Sequence, residues 1–146
     1  MAGVTIRPLV VHRDGRGSVR ETYRASWFPD VPPIVQLVRS KSLPGTLRGM
    51  HYHKLQWDVW TFVSGSALVR LDDDLIEADP GMTIAIPPGF GHGLYTRDGC
   101  VLLYGLTREY DGTDEYGYDA FDGLAGWPAN TSNLRVSDRD LLALTR

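Results

Sequence analysis

The sequence predicts an all-β fold, a jelly-roll barrel with a short C-terminal helix. Runs rich in Val, Ile, Tyr and Trp recur along the chain. Clusters of Gly, Pro and Asp separate them at short, regular intervals. Only the last stretch has helical character. Many short strands joined by turns imply a sandwich or barrel, and a barrel with a ligand-holding interior fits best.

Strands are expected at 4–11, 18–23, 34–39, 59–63, 67–71, 82–86 and 101–106, with an extended segment at 47–53. Turns are expected at 13–17, 43–45, 72–74, 79–81 and 87–89, where Gly, Pro and Asp supply the special backbone angles and side-chain bonds that turns use. A helix is expected over 137–144. Ser137 can cap it, Asp138 and Asp140 suit its first turn, and Leu141, Leu142 and Leu144 give it an apolar side.

The 146 residues suggest one domain, 1–146, with a sizeable core. No apolar run is long enough to span a membrane, and the N-terminus lacks the apolar region of a signal peptide. The single cysteine, Cys100, cannot build an internal disulfide framework. These features point to the cytoplasm. A net charge of -3 gives no whole-chain attraction to nucleic acid.

Chemistry concentrates in two segments. Residues 45–58 carry His51, His53 and Asp58 behind Gly45 and Gly49; residues 81–92 run from Gly81 through Pro87-Pro88-Gly89 to His92. If 47–53 is extended, His51 and His53 share a face, because side chains alternate along a strand. Asp58 and His92 can return to the same interior. Such a set can hold a metal or move protons. A lone strand histidine is most often a surface or core residue, but two at alternate positions, answered by a third in a matching turn motif, weigh against a purely structural cluster.

The spacing of these glycines, histidines and proline resembles the two-part motif of the cupin superfamily, with aspartate where glutamate is usual. That resemblance implies a double-stranded β-helix with its site in the barrel mouth. A closer resemblance rests on Asp14-Gly15-Arg16-Gly17, Glu21, Val35-Gln36, Leu47-Arg48-Gly49-Met50-His51-Tyr52, Ile86 through Gly93, Tyr104, Thr107, Tyr110, Gly117 with Asp122, Trp127-Pro128 and Val136 through Asp140. Across nearly the whole chain this pattern is similar to the dTDP-4-dehydrorhamnose 3,5-epimerase family. The family removes a proton beside the keto group of a nucleotide-linked 4-keto-6-deoxyhexose and returns it to the opposite face.

The resemblance implies roles. His51 would be the base, Asp122 its carboxylate partner, and Tyr110 the acid on the opposite face. Arg48 would meet the sugar or its phosphate, and His92 would face the sugar pocket. Arg16, Glu21 and Gln36 would contact the nucleotide, Arg16 through charge-assisted bonds to phosphate. No cofactor is required by the resemblance. A homodimer is implied, with residues 4–11 as the strand lent to the neighbour.

The chain also departs from the family pattern. Asp58 stands where the family has a lysine that stabilises the enolate oxygen, and His53 replaces a glutamine. Ser18-Val19 displaces an aromatic that stacks on thymine. Together, His53 and Asp58 restore the set His51, His53, Asp58 and His92, which suits a divalent metal such as Fe, Mn, Ni or Zn. A metal could polarise the keto oxygen in the lysine's place. Three other readings stand beside epimerisation. Residues 48–54 and 110–114 resemble the dTDP-sugar 3,4-ketoisomerases, which use His-x-His to shuttle a proton. A metal-dependent cupin, such as a dioxygenase or lyase, and a catalytically silent sugar-nucleotide-binding cupin complete the set.

Overall fold

A computed structural model describes residues 3–142. Strands β1 (Thr5–Pro8), β2 (Val11–Asp14), β3 (Gly17–Arg20), β4 (Gln36–Ser42), β5 (Thr46–Tyr52) and β6 (Asp58–Gly65) fill the first half. Strands β7 (Ala67–Leu71), β8 (Asp74–Ala78), β9 (Met82–Ile86), β10 (His92–Thr96), β11 (Cys100–Leu106) and β12 (Tyr116–Gly117) follow, and helix α1 (Asp138–Leu142) closes the described chain. One five-stranded sheet has the order β1-β9-β6-β11-β4 and the other β12-β5-β10-β7-β8; β2 and β3 form a separate ribbon. Every strand pair is antiparallel. This is the double-stranded β-helix, the cupin jelly roll.

The core lies between the two sheets. Trp60 and Phe62 of β6, Ile84 and Ile86 of β9 and Leu102 of β11 meet Val69 and Leu71 of β7 and Leu94 of β10. A second cluster packs the C-terminal segment, through Trp127 and Ala120, against Leu47 and Met50 of β5. That packing brings the end of the chain beside β5.

Several expected elements differ from those observed. The strand expected at 4–11 is two strands. Pro8 has no N–H to continue a ladder, so β1 ends there and the chain leaves for the β2–β3 ribbon. β1 pairs with β9 of its own chain, Thr5 opposite Ala85 and Pro8 opposite Met82. β8 was hidden by its acidic start: residues 72–74 read as a turn, yet Asp74 already pairs with Leu71, so the turn is Asp72-Asp73 with Asp72 at a φ of 51°. The helix starts as expected, with Ser137 Oγ accepting the Asp140 N–H at 3.1 Å; Leu144 lies outside the described residues.

β5 and β10 approach unusually closely, and glycine permits it. Gly49 has a φ of +117°, and a Cβ there would sit 2.8 Å from Gly93 Cα and 2.9 Å from the His92 carbonyl oxygen. Both obstacles are backbone. Gly49→Ala should therefore lower folding stability by at least about 2 kcal/mol, read from the midpoint of urea unfolding. A midpoint matching the wild type would refute the claim that this crossing needs glycine.

Candidate active site

A cavity of about 960 Å³ opens between the sheets. Gln36, Arg48, His51, His53, Asp58, His92 and Tyr110 all line it. Arg16, Glu21 and Asp122 do not. Arg16 sits exposed in the β2–β3 turn, its guanidinium on Asp14 at 2.7 Å. Glu21 is exposed and pairs with Arg24 at 2.6 Å.

His51 stands near the end of β5, opposite His92 of β10 on one side and Gly117 of β12 on the other. Its Nε2 lies 2.5 Å from Asp140 Oδ1. The second carboxylate oxygen of Asp140 accepts the Gly49 N–H at 3.0 Å, so this buried carboxylate is tied to β5 twice. Burial pushes the Asp140 carboxyl up, but the hydrogen bond and charge of His51, the Gly49 N–H and the charge of Arg139 outweigh it and hold it below the usual range. An ionised Asp140 accepts Nε2–H, so the neutral ring is left with Nδ1 as its basic atom.

Glu115 flanks that nitrogen. Its Oε1 is 3.8 Å from His51 Nδ1, beyond hydrogen-bond reach. Its Oε2 accepts the Tyr110 hydroxyl at 3.1 Å and Arg139 Nη1 at 2.8 Å. The Glu115 charge, and its hydrogen bond, push the Tyr110 phenol up, which keeps it a proton donor. Tyr110 is 54% exposed, at the rim, and Gln36 Oε1 accepts its backbone N–H at 2.7 Å. Gln36, expected at the nucleotide, thus also positions the tyrosine.

Arg48 forms part of the wall, donating from Nε to Ser42 Oγ at 2.8 Å and from Nη2 to the Lys41 carbonyl at 3.0 Å. The Ser40 hydroxyl, also on the wall, is buried with no hydrogen-bond partner among the described residues.

Deeper in the cavity, His53, Asp58 and His92 form a buried cluster whose ligating atoms all lie within 4.8 Å of one another. His51 is not a member, because its ring is committed to Asp140. The expected four-residue metal set is corrected to three. Burial holds the His92 imidazole below its ordinary value, against the opposing pull of the Asp58 charge.

The expected partnership of His51 with Asp122 is also corrected. Asp122 takes both arms of Arg70, from Nη1 at 2.9 Å and Nη2 at 2.6 Å. Arg70 is only 1% exposed, and a buried guanidinium demands a carboxylate. Asp140 fills the place assigned to Asp122. Its signal lay in the Val136 through Asp140 segment, where the aspartate read as a residue of the helix's first turn. Arg139 lies in the same segment; Glu115 carried no local signal.

The family model for dTDP-4-dehydrorhamnose 3,5-epimerase matches residues 1–145. The chain belongs to this family. Within its neighbourhood, the spore coat polysaccharide biosynthesis protein SpsL of Bacillus subtilis (strain 168) is 29% identical, covering 88% of this chain and 96% of that protein. A dTDP-4-dehydrorhamnose 3,5-epimerase of Neisseria gonorrhoeae is 32% identical over 92% of this chain, which spans 47% of that relative's length. The crystal structure of a dTDP-4-dehydrorhamnose 3,5-epimerase from Sulfolobus tokodaii superposes with a TM-score of 0.83 at 25% identity, covering 97% of this chain and 89% of the other. The family's fold and this chain's are the same. Among the described residues, no helix is long and apolar enough to cross a membrane.

Proposed function

We propose that this protein epimerises a nucleotide-linked 4-keto-6-deoxyhexose, with dTDP as the nucleotide, in deoxysugar biosynthesis. The observation that carries the reading is the His51–Asp140 pair opening on a cavity whose rim bears the Tyr110 phenol. His51 Nδ1 takes the proton from the carbon beside the ketone. The C–H electron pair forms the enolate C=C bond, and the carbonyl π pair moves onto oxygen. Asp140 stabilises the resulting imidazolium. Tyr110 then returns a proton to the carbon from the other face, and the enolate collapses to the ketone. Arg48 supplies polar contacts to the sugar or its phosphate.

Arg16 and Glu21 lie away from this chain's own cavity. Their nucleotide role is consistent with a homodimer in which the β2–β3 ribbon of one copy reaches the cavity of the other. We read the protein as cytoplasmic, in keeping with a single buried cysteine.

The test is NMR of a dTDP-4-keto-6-deoxyhexose incubated with the protein in deuterated buffer. Deuterium should enter at C3, C5 or both, with inversion, and His51→Asn should abolish it. Tyr110→Phe should still permit washout but lose inversion. Transfer of the keto group to C3 would favour ketoisomerisation. Nucleotide-sugar binding with no exchange at any carbon would overturn the catalytic reading and leave a silent binding protein.

A further inference from the structure

We propose that His53, Asp58 and His92 form a divalent metal site at the base of the cavity. The tautomers decide it. His53 Nδ1 donates to the Asp114 carbonyl at 2.6 Å, and His92 Nδ1 donates to the Phe90 carbonyl at 3.0 Å. A carbonyl can only accept, so each neutral ring is left with a lone pair on Nε2. Both Nε2 atoms face the Asp58 carboxylate, at 3.5 Å from Oδ1 and 3.7 Å from Oδ2. Two lone pairs and an anion therefore converge in a buried space.

The separations identify what belongs between them. They are too long for hydrogen bonds, so a proton shared between ring and carboxylate does not account for them. Ligands each about 2.0–2.2 Å from a first-row ion stand roughly 3.0–3.5 Å apart. The two ring-to-carboxylate separations reach that with a few tenths of an ångström of contraction, while the set as a whole, within 4.8 Å, closes further on an ion.

The ligands are also held from behind. Gln56 Nε2 donates to Asp58 Oδ1 at 2.6 Å and Trp60 Nε1 to Oδ2 at 3.1 Å. The Asp114 carboxylate accepts the N–H groups of Lys54, Leu55 and Gln56, at 2.8, 3.1 and 2.9 Å, and so fixes the turn that carries His53. Oriented outer partners of this kind are what metal ligands need. Two imidazoles and one carboxylate suit Zn(II), Fe(II), Ni(II) or Co(II) and leave positions open to the cavity.

An ion there would act as a Lewis acid toward a carbonyl oxygen in the cavity that holds His51. That role rests on the epimerase reading; metal binding itself does not.

The experiment uses protein stripped by chelator and dialysed against Zn(II), and separately against Co(II). Metal analysis should find about one ion per chain, and Co(II) should give visible d–d absorption. His53→Ala, Asp58→Asn and His92→Ala should each weaken binding at least about tenfold. His51→Asn should keep full stoichiometry although it abolishes proton exchange. Wild-type protein that holds no ion would overturn the site whatever the variants do. So would Zn(II) retained undiminished in the three ligand variants, or lost in His51→Asn. Metal bound without any sugar exchange would leave the site standing and remove the epimerase reading instead.

Discussion

Asp140→Asn should lower the rate of solvent exchange at the sugar carbon by about 10²–10⁴-fold while leaving the chain folded. The carboxylate does two things for His51. It accepts Nε2–H at 2.5 Å, which fixes the tautomer, and its charge stabilises the imidazolium formed when the ring takes a proton. The asparagine side chain keeps the volume and an oxygen for the Gly49 N–H, so the packing of α1 on β5 should survive. It loses the charge, and its amide can hold the ring in the wrong tautomer. Steady-state exchange measured beside urea unfolding separates the two effects. A variant within a few-fold of the wild-type rate would mean that Asp140 is only a structural tie.

Asp122→Ala should show the opposite pattern, losing about 2–3 kcal/mol of stability while the exchange rate per folded molecule stays close to wild type. It strips the bidentate partner from Arg70, whose side chain is buried. Breaking a buried pair costs about 3–5 kcal/mol, and the partial exposure of Asp122 to solvent places this case lower. The pH dependence has a definite sign. The Arg70 hydrogen bonds hold the Asp122 carboxyl below its usual value of 3.8, against a smaller desolvation penalty. The pair's contribution is therefore complete above that value and fades as pH falls through the folded value, because protonation removes the charge. Wild-type and variant unfolding curves should lie furthest apart near neutral pH and converge in acid. A constant gap down to strongly acid pH would show that the ion pair is not the source of the loss.

These two aspartates show where the sequence was legible. The register of His51 on its strand, the glycine at 49, the turns at 79–81 and 87–89 and the Ser137 cap are set by neighbours a few residues away. Alternation, turn chemistry and capping are local physics, so residue types in order report them. Strands β8 and β10 were missed because their pairing partners, rather than their own composition, make them strands. Asp74 pairs with Leu71 across a two-residue turn, and His92 is held between His51 and Leu71.

By itself, then, the sequence determined an all-β barrel, its family, and the strand that offers His51 to a cavity. Only the tertiary structure decided which carboxylate that histidine meets. Asp140 lies 89 residues from His51, and Asp122 lies 52 residues from Arg70. Both carry the same charge, and nothing in their own segments separates a catalytic partner from a counter-ion. Packing of Trp127 and its neighbours on β5 brings α1 to His51, while the buried Arg70 claims the carboxylate nearest to it. By committing His51 to Asp140, the same packing leaves His53, Asp58 and His92 as a separate group, a division that no spacing of histidines along the chain could express.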